Sequence, residues 1–493
     1  MNAPAMAPGL QRWRLARWAG LFFVMALGCA VAMAISLGRA DQAPQVVGVT
    51  VPSVVVGDAR ADVGSPLDML EATLVQRDVR MVLRVSFGAV WKAADLTARP
   101  GRAVCLVLAR AEPAIPRGRV CVTRLQRHPA LTYTPIDAGG TAGRTRKVGA
   151  SIQRPRSSVL EATFLPVAAG LEVGAYSWWL QTDWTDASAC AKTCTDRLPD
   201  AGAVSARLAL LGVVPCFGAA ARDRAQPCRN PDLRLAVEPP PTRAGAVLDP
   251  FCDTRVTRPI SVCAFGAGPD AATATFALIG DSHASAMKTA LEVLTLARRW
   301  RGLSIVLAAC PATQAVPILP TPARSRGCAI WNRSVLAWLA GQPRVQTAFL
   351  STHTSSEVKP IPGKTMAESA RAGYRDELSA LLRVVDRVAV IRDTPFEAPG
   401  HLTCIERAVA SRRAPGPACA RSRKLALEPD PLAAAARDMR TPRVRLIDLT
   451  SSVCDARRCF PVVGGALVHR DETHVTPAFS ATLGPFVLRA LER

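Results

Sequence analysis

The stretch TATFALI at residues 273–279, followed at once by Gly280-Asp281-Ser282-His283 and then by residues 284–300, decides the fold of the C-terminal half. Seven residues, mostly apolar, between turn signals read as a buried strand. In the segment after the turn, Met287, Ala290, Leu291, Leu294 and Ala297 recur at i, i+3, i+4, i+7 and i+10, which is one face of a helix. A strand, a tight glycine turn and a helix place Ser282 at the carboxyl edge of an α/β sheet. There the free N–H groups of the helix start can stabilise a developing oxyanion.

Working outward, residues 303–307, 347–351, 385–391 and 444–449 are further strand candidates, and residues 371–384 and 431–439 are helical candidates between them. Strand and helix in series imply a parallel sheet covered on both faces. Near the end stands Arg470-Asp471-Glu472-Thr473-His474-Val475-Thr476-Pro477. Thr476 and Pro477 are an N-cap and first-turn pair, and Phe479, Leu483, Val487 and Leu491 form the apolar face of a last helix. His474 therefore precedes a helix on a loop, with Asp471 three residues earlier. An imidazole that is to act as a base needs a carboxylate to fix its tautomer, and a D-x-x-H loop supplies one locally.

The order of these motifs resembles the SGNH (GDSL-type) hydrolase superfamily, and more closely the SGNH domains attached to bacterial surface-polysaccharide O-acyltransferases. The residues that carry the resemblance are Cys252…Cys263-Ala-Phe-Gly266, Leu278-Ile-Gly-Asp-Ser-His-Ala284, Cys310-Pro311, Cys454…Cys459-Phe-Pro461 and Asp471…His474. It covers about residues 247–493. It implies a three-layer, flavodoxin-like α/β domain with Ser282 as nucleophile, His474 as general base and acid, and Asp471 as its orienting carboxylate. The oxyanion glycine and asparagine of the wider superfamily have no clear match. Gly280, His283, Asn332, Ser351, Thr352 and His353 are the oxyanion or substrate candidates, with His283 either touching substrate or completing the turn. No metal and no organic cofactor is expected.

Before this domain the texture is that of strands. Residues 80–87 (RMVLRVSF) alternate, and residues 103–109 and 119–125 read as a hairpin that Cys105 and Cys121 can bridge. Residues 171–176 (LEVGAY), leading into SWWLQTDW, look like the tyrosine corner of immunoglobulin and fibronectin type III sandwiches. A β-sandwich is expected over 45–236, serving either as a spacer or as a binder of a glycan or partner. A proline-rich linker is expected over 237–246, and the SGNH domain over 247–493.

Residues 18–38 are apolar and uncharged and follow Arg12, Arg14 and Arg17 in a basic segment 1–17. About 21 residues suffice to span a bilayer core. The flanking arginines favour an uncleaved single-pass anchor in the cell membrane with everything downstream extracytoplasmic; a cleaved signal peptide is the rival. Apart from Cys29, the cysteines form an even set of neighbours: 105/121, 190/194, 216/228, 252/263, 310/328, 404/419 and 454/459. Seven short-loop disulfides fit an oxidising compartment better than a zinc site, since no pair has CxxC spacing and no histidine clusters with one.

The net charge of +22 comes mostly from scattered arginine. It reflects coding bias or attraction to an anionic surface. Without basic blocks or an aromatic platform, nucleic acid is not an expected partner. The expected activity is that of a serine esterase or O-acyltransferase on acyl esters, mainly O-acetyl esters, of cell-surface glycans. With one apolar span in the sequence, an acetyl donor delivered across the membrane would come from a separate membrane acyltransferase. The contrasting expectation is a non-catalytic wall- or glycan-binding protein with a relic SGNH fold. Activity should fall below about pH 6 as the base titrates near ~6.5.

Overall fold

The computed structural model describes residues 55–58, 66–97, 101–184, 195–245, 253–257 and 259–492. The proposed basic segment 1–17 and anchor 18–38 lie outside them. Among the described residues, no helix is long and apolar enough to cross a membrane.

The first strands are β1 (Val55–Gly57), β2 (Met69–Arg77), β3 (Arg80–Phe87), β4 (Arg102–Ala109), β5 (Pro116–Leu125) and β6 (His128–Pro135). They are followed by β7 (Arg146–Val148), β8 (Ala150–Arg156), β9 (Val159–Phe164), β10 (Gly174–Trp184), β11 (Thr195–Leu198) and β12 (Val204–Leu208). They form two antiparallel sheets, one ordered β1-β2-β3-β9-β8 and the other β11-β10-β4-β5-β6-β7, with β12 on β10. Alternation explains the burial. Met81, Leu83, Val85 and Phe87 of β3 point to the same core as Leu106 and Leu108 of β4 and Trp178 and Leu180 of β10. The expected 103–109/119–125 hairpin is present, with Cys105 opposite Cys121 in the ladder and disulfide-bonded to it. Tyr176 is buried. Burial raises its hydroxyl pKa to about 12.

The second group of strands builds one mixed sheet. Its members are β13 (Asp253–Thr257), β14 (Ile260–Gly266), β15 (Thr275–Gly280), β16 (Arg301–Val306), β17 (Val345–Ser351), β18 (Arg387–Ile391) and β19 (Val444–Ile447), in the order β13-β14-β16-β15-β17-β18-β19. The five strands from β16 to β19 pair in parallel. The expected all-parallel sheet is corrected at one edge, where β14 runs antiparallel to β16 and β13 antiparallel to β14. The run 260–266 leads into β15 through a short turn, too short for the crossover a parallel neighbour would need.

Helices α1 (Ser282–Arg298) and α6 (Pro477–Glu492) cover one face of this sheet. The helices α2 (Pro322–Ala340), α3 (Met366–Leu381) and α5 (Pro431–Asp438) cover the other, and α4 (His401–Ala410) lies beyond β18 in the chain. Strand side chains sort by parity. Phe276, Leu278 and Phe349 face α1 and α6, whereas Ala277, Ile279, Ala348 and Leu350 face α2 and α3. Gly484 lets α6 lie against α1, because a Cβ there would sit 2.4 Å from the Cβ of Val293.

The core on the α1 side is continuous with that of the two antiparallel sheets. On β3, Arg80 reaches into α1, where it pairs with Glu292 at 3.0 Å; Glu292 also binds Lys288 at 2.5 Å. The proline-rich stretch also packs against the second region. Val237 and Ala244 are buried with Ile405, Val462 and Leu467, and Glu238 exchanges backbone hydrogen bonds with Gly465 and Leu467. Four further expected disulfides are formed: 216–228, 310–328, 404–419 and 454–459. Cys263 is disulfide-bonded too. Cys190, Cys194 and Cys252 lie outside the described residues.

Candidate active site

In chain order the five parallel strands are first, second, third, fourth and fifth, and in space they run second-first-third-fourth-fifth. Connections therefore leave the first strand, β15, and its neighbour β17 towards opposite faces, and a crevice opens at their carboxyl ends. Residues 280–283 follow β15 directly into this crevice. Gly280 has φ +147°, and a Cβ there would lie 1.9 Å from the carbonyl oxygen of Ser351, so the chain passes β17 at a distance only glycine permits.

Asp281 is the N-cap of α1 and is almost wholly buried. Its Oδ1 accepts the N–H of His283 at 2.9 Å. Its Oδ2 accepts the hydroxyl of Thr352 at 2.9 Å and the N–H of His353 at 2.8 Å. One carboxylate thus locks the serine turn to the end of β17. Ser282, the first residue of the helix, is left partly exposed with its side chain toward the crevice.

His474 comes from the loop before α6. Its Nε2 lies 2.8 Å from Ser282 Oγ, and its Nδ1 lies 2.9 and 3.0 Å from the two oxygens of Asp471. Asp471 Oδ1 also accepts the N–H groups of Thr473 and His474 at 2.9 and 2.7 Å, which fixes the carboxylate before it orients the ring. Burial pushes the Asp471 pKa up, but these N–H donors and His474 outweigh it, and the carboxyl titrates below its usual range. The loop is braced from behind: the N–H of Glu397 donates to the carbonyl of Glu472, and His469 Nε2 lies 3.2 Å from Thr394 Oγ1.

His283 points inward, where its Nδ1 is 2.7 Å from Asp393 Oδ1. Its ring lies 4.8 Å from that of His474 and 4.4 Å from that of His353. Asp393, just past β18, also accepts the N–H groups of Thr354 and Thr394, and donates its own N–H to Asp430. Asp393 is the site residue that sequence reasoning missed. The signal was an acid at the end of the apolar run 388–391, at the carboxyl edge of a parallel strand.

Of the other candidates, Ser351 lends its backbone to the Gly280 crossing and Thr352 serves Asp281. The Nε2 of His353 is buried with no hydrogen-bond partner. Asn332 lies on α2, buried, and donates to the carbonyls of Pro311 and Thr313 at 3.0 Å each, which holds the loop after Cys310. His283, His353 and Asp393 bring ligand-type atoms within 4.8 Å of one another. His283 Nδ1 is bonded to Asp393, and both Asp393 oxygens accept N–H donors.

The three groups Ser282, His474 and Asp471 are arranged for acyl transfer: a hydroxyl, an imidazole that can take its proton, and a carboxylate that holds the imidazole. Fold and site together define an α/β domain of the esterase and acyltransferase class. Residues 251–489 match the family described as "SGNH domain (fused to AT3 domains)", and this part of the chain is an SGNH domain. Among solved structures, the chain is similar to one described as the periplasmic domain of a lipopolysaccharide acetyltransferase from Salmonella ser. Paratyphi A. The identity is 13%, the match covers 45% of this chain and 85% of that one, and the TM-score is 0.36. Among curated proteins, none matches the chain.

Proposed function

We propose that the protein is a membrane-anchored, extracytoplasmic serine esterase or O-acyltransferase acting on O-acyl, chiefly O-acetyl, esters of cell-surface glycans. The observation that carries this reading is the unbroken line from Ser282 Oγ through His474 to Asp471, with contacts of 2.8 and 2.9 Å. The segment 18–38 is read as the anchor, and the two antiparallel sheets as a sandwich-type spacer beyond it. The disulfides agree with an oxidising compartment. A separate membrane acyltransferase would supply any acetyl group that crosses the bilayer.

In the reaction, Ser282 Oγ attacks the ester carbonyl carbon while its proton passes to His474 Nε2. The oxyanion is met by the N–H of Ser282 at the start of α1; that of His283 is already given to Asp281. The carbon–oxygen bond to the leaving alcohol breaks as His474 returns the proton to it, and an acyl-Ser282 remains. A second hydroxyl, from water or from a sugar, then loses its proton to His474 and takes the acyl group. Water gives an esterase, and a sugar gives a transferase.

The test is hydrolysis of 4-nitrophenyl acetate by the protein purified from residue 41 onward under oxidising conditions, beside Ser282→Ala and His474→Ala. Each variant should lose about three orders of magnitude or more in kcat. Equal activity in wild type and both folded variants would end the serine reading. Inert wild type that also fails to transfer acetyl to an added sugar acceptor would favour a binding protein.

A further inference from the structure

The chemistry above uses one histidine–carboxylate pair, yet a second lies against it. His283 and Asp393 are 5% and 7% exposed. They are bonded at 2.7 Å, and the His283 ring lies against that of the base at 4.8 Å. A histidine and a carboxylate buried together are costly to desolvate and are kept out of water only where their surroundings hold them. Here the surroundings are specific: N–H groups from Thr354 and Thr394 on the carboxylate, and a backbone N–H of Asp393 given to Asp430.

We propose that the His283–Asp393 pair is a positioning element of the reaction: a fixed cation against the His474 ring that keeps this base unprotonated until Ser282 gives up its proton. The inference rests on the serine–histidine reading of the site. His283 and Asp393 exchange no proton with substrate. Their effect is that His474, once it has accepted the Ser282 proton, is an imidazolium beside a second cation and returns that proton readily to the leaving oxygen.

The charges that face these groups agree with this. His474 is faced by Asp471 and Arg470 from its own loop and by His283 from the serine turn. His283 is faced by Asp281 from that turn, by Asp471 from the loop and by Asp393 from the end of β18. His353, from the end of β17, faces both histidines. For His283, burial works against the charged form and is outweighed by Asp393, so its pKa is raised. For His474, burial and then the charge of His283 outweigh the pull of Asp471, and its pKa is lowered.

Two measurements test the pair. The first is the pH dependence of kcat/KM on 4-nitrophenyl acetate for wild type, Asp393→Asn and His283→Gln. Both variants should move the acid limb upward by roughly half a pH unit or more, because the cation is discharged in one and deleted in the other. The second is an NMR titration of the His474 ring in histidine-labelled Ser282→Ala protein, with and without Asp393→Asn, where the same upward shift is expected. That arm needs no turnover, so a failure of Ser282 as nucleophile would show in the first measurement and leave the second readable. A uniform loss of rate with an unmoved acid limb, or an unmoved His474 titration in folded protein, would overturn the proposal and leave the pair a structural brace.

Discussion

The two antiparallel sheets and the SGNH domain bury polar side chains in different ways. In the sheets, buried polar groups satisfy backbone. Asp196 accepts the N–H of Met69, Gln76 binds Ala209 through both ends of its amide, and Ser177 donates to the carbonyl of Ala111. Each is a local repair. In the SGNH domain, Asp281, His283, Asp393 and the Asp471–His474 loop come together from three separate segments, and they meet at one edge of the sheet. Antiparallel pairing spends its polar groups along the ladder, whereas parallel strands with crossing helices leave a row of free ends where side chains from distant segments can meet.

This contrast can be broken by substitution. Gly280→Ala has the largest expected effect: with the new Cβ driven into the Ser351 carbonyl, the serine turn must shift. A displacement of about 1 Å costs roughly 10²-fold in rate, and kcat on 4-nitrophenyl acetate should fall by at least that while most of the fold survives. In the other region, Trp178→Ala should cost about 3–5 kcal/mol of stability, read as a lower midpoint in denaturant. Below that midpoint, kcat and the acid limb of the pH profile should match wild type. A changed pH profile would mean that the sheets reach into the chemistry.

The smallest effect is one of pH. On the proposed reading the base is neutral His474, whose pKa is lowered by burial and by His283, so the loss of activity on acidification is centred below the ordinary ~6.5. The expected fall near pH 6 therefore moves to lower pH. At pH 6 the wild type should keep more than about a quarter of its plateau kcat/KM, the fraction an unshifted histidine would leave. Less than that would contradict the lowering.

Much of this was legible in the sequence because it is local. The serine turn is announced by strand, glycine and helix over fewer than thirty residues, and Asp471 and His474 sit three apart on a loop that ends at an N-cap. Helix α2 carried a readable signal that went unused: Thr321 and Pro322 as cap and first turn, then Cys328, Trp331, Asn332, Val335 and Leu339 on one buried face. Asp393 is different. Its partner is 110 residues away in the chain, and the two meet only because β17 lies between β15 and β18 in the sheet. Strand order is a property of the packed sheet that no window of sequence displays. The antiparallel edge was hidden in the same way, since an apolar run does not state its direction.

The contact of Arg80 with Glu292 has a consequence for how this chain can be cut and recombined. The three prolines at 239–241 invite division into two modules there. A fragment that begins at that point would carry an α1 whose buried Glu292 has lost its contact with Arg80 and keeps that with Lys288, and whose apolar flank has lost its cover. The two regions thus pack as one unit, and a graft of the SGNH domain onto another protein would have to bring a stand-in for β3.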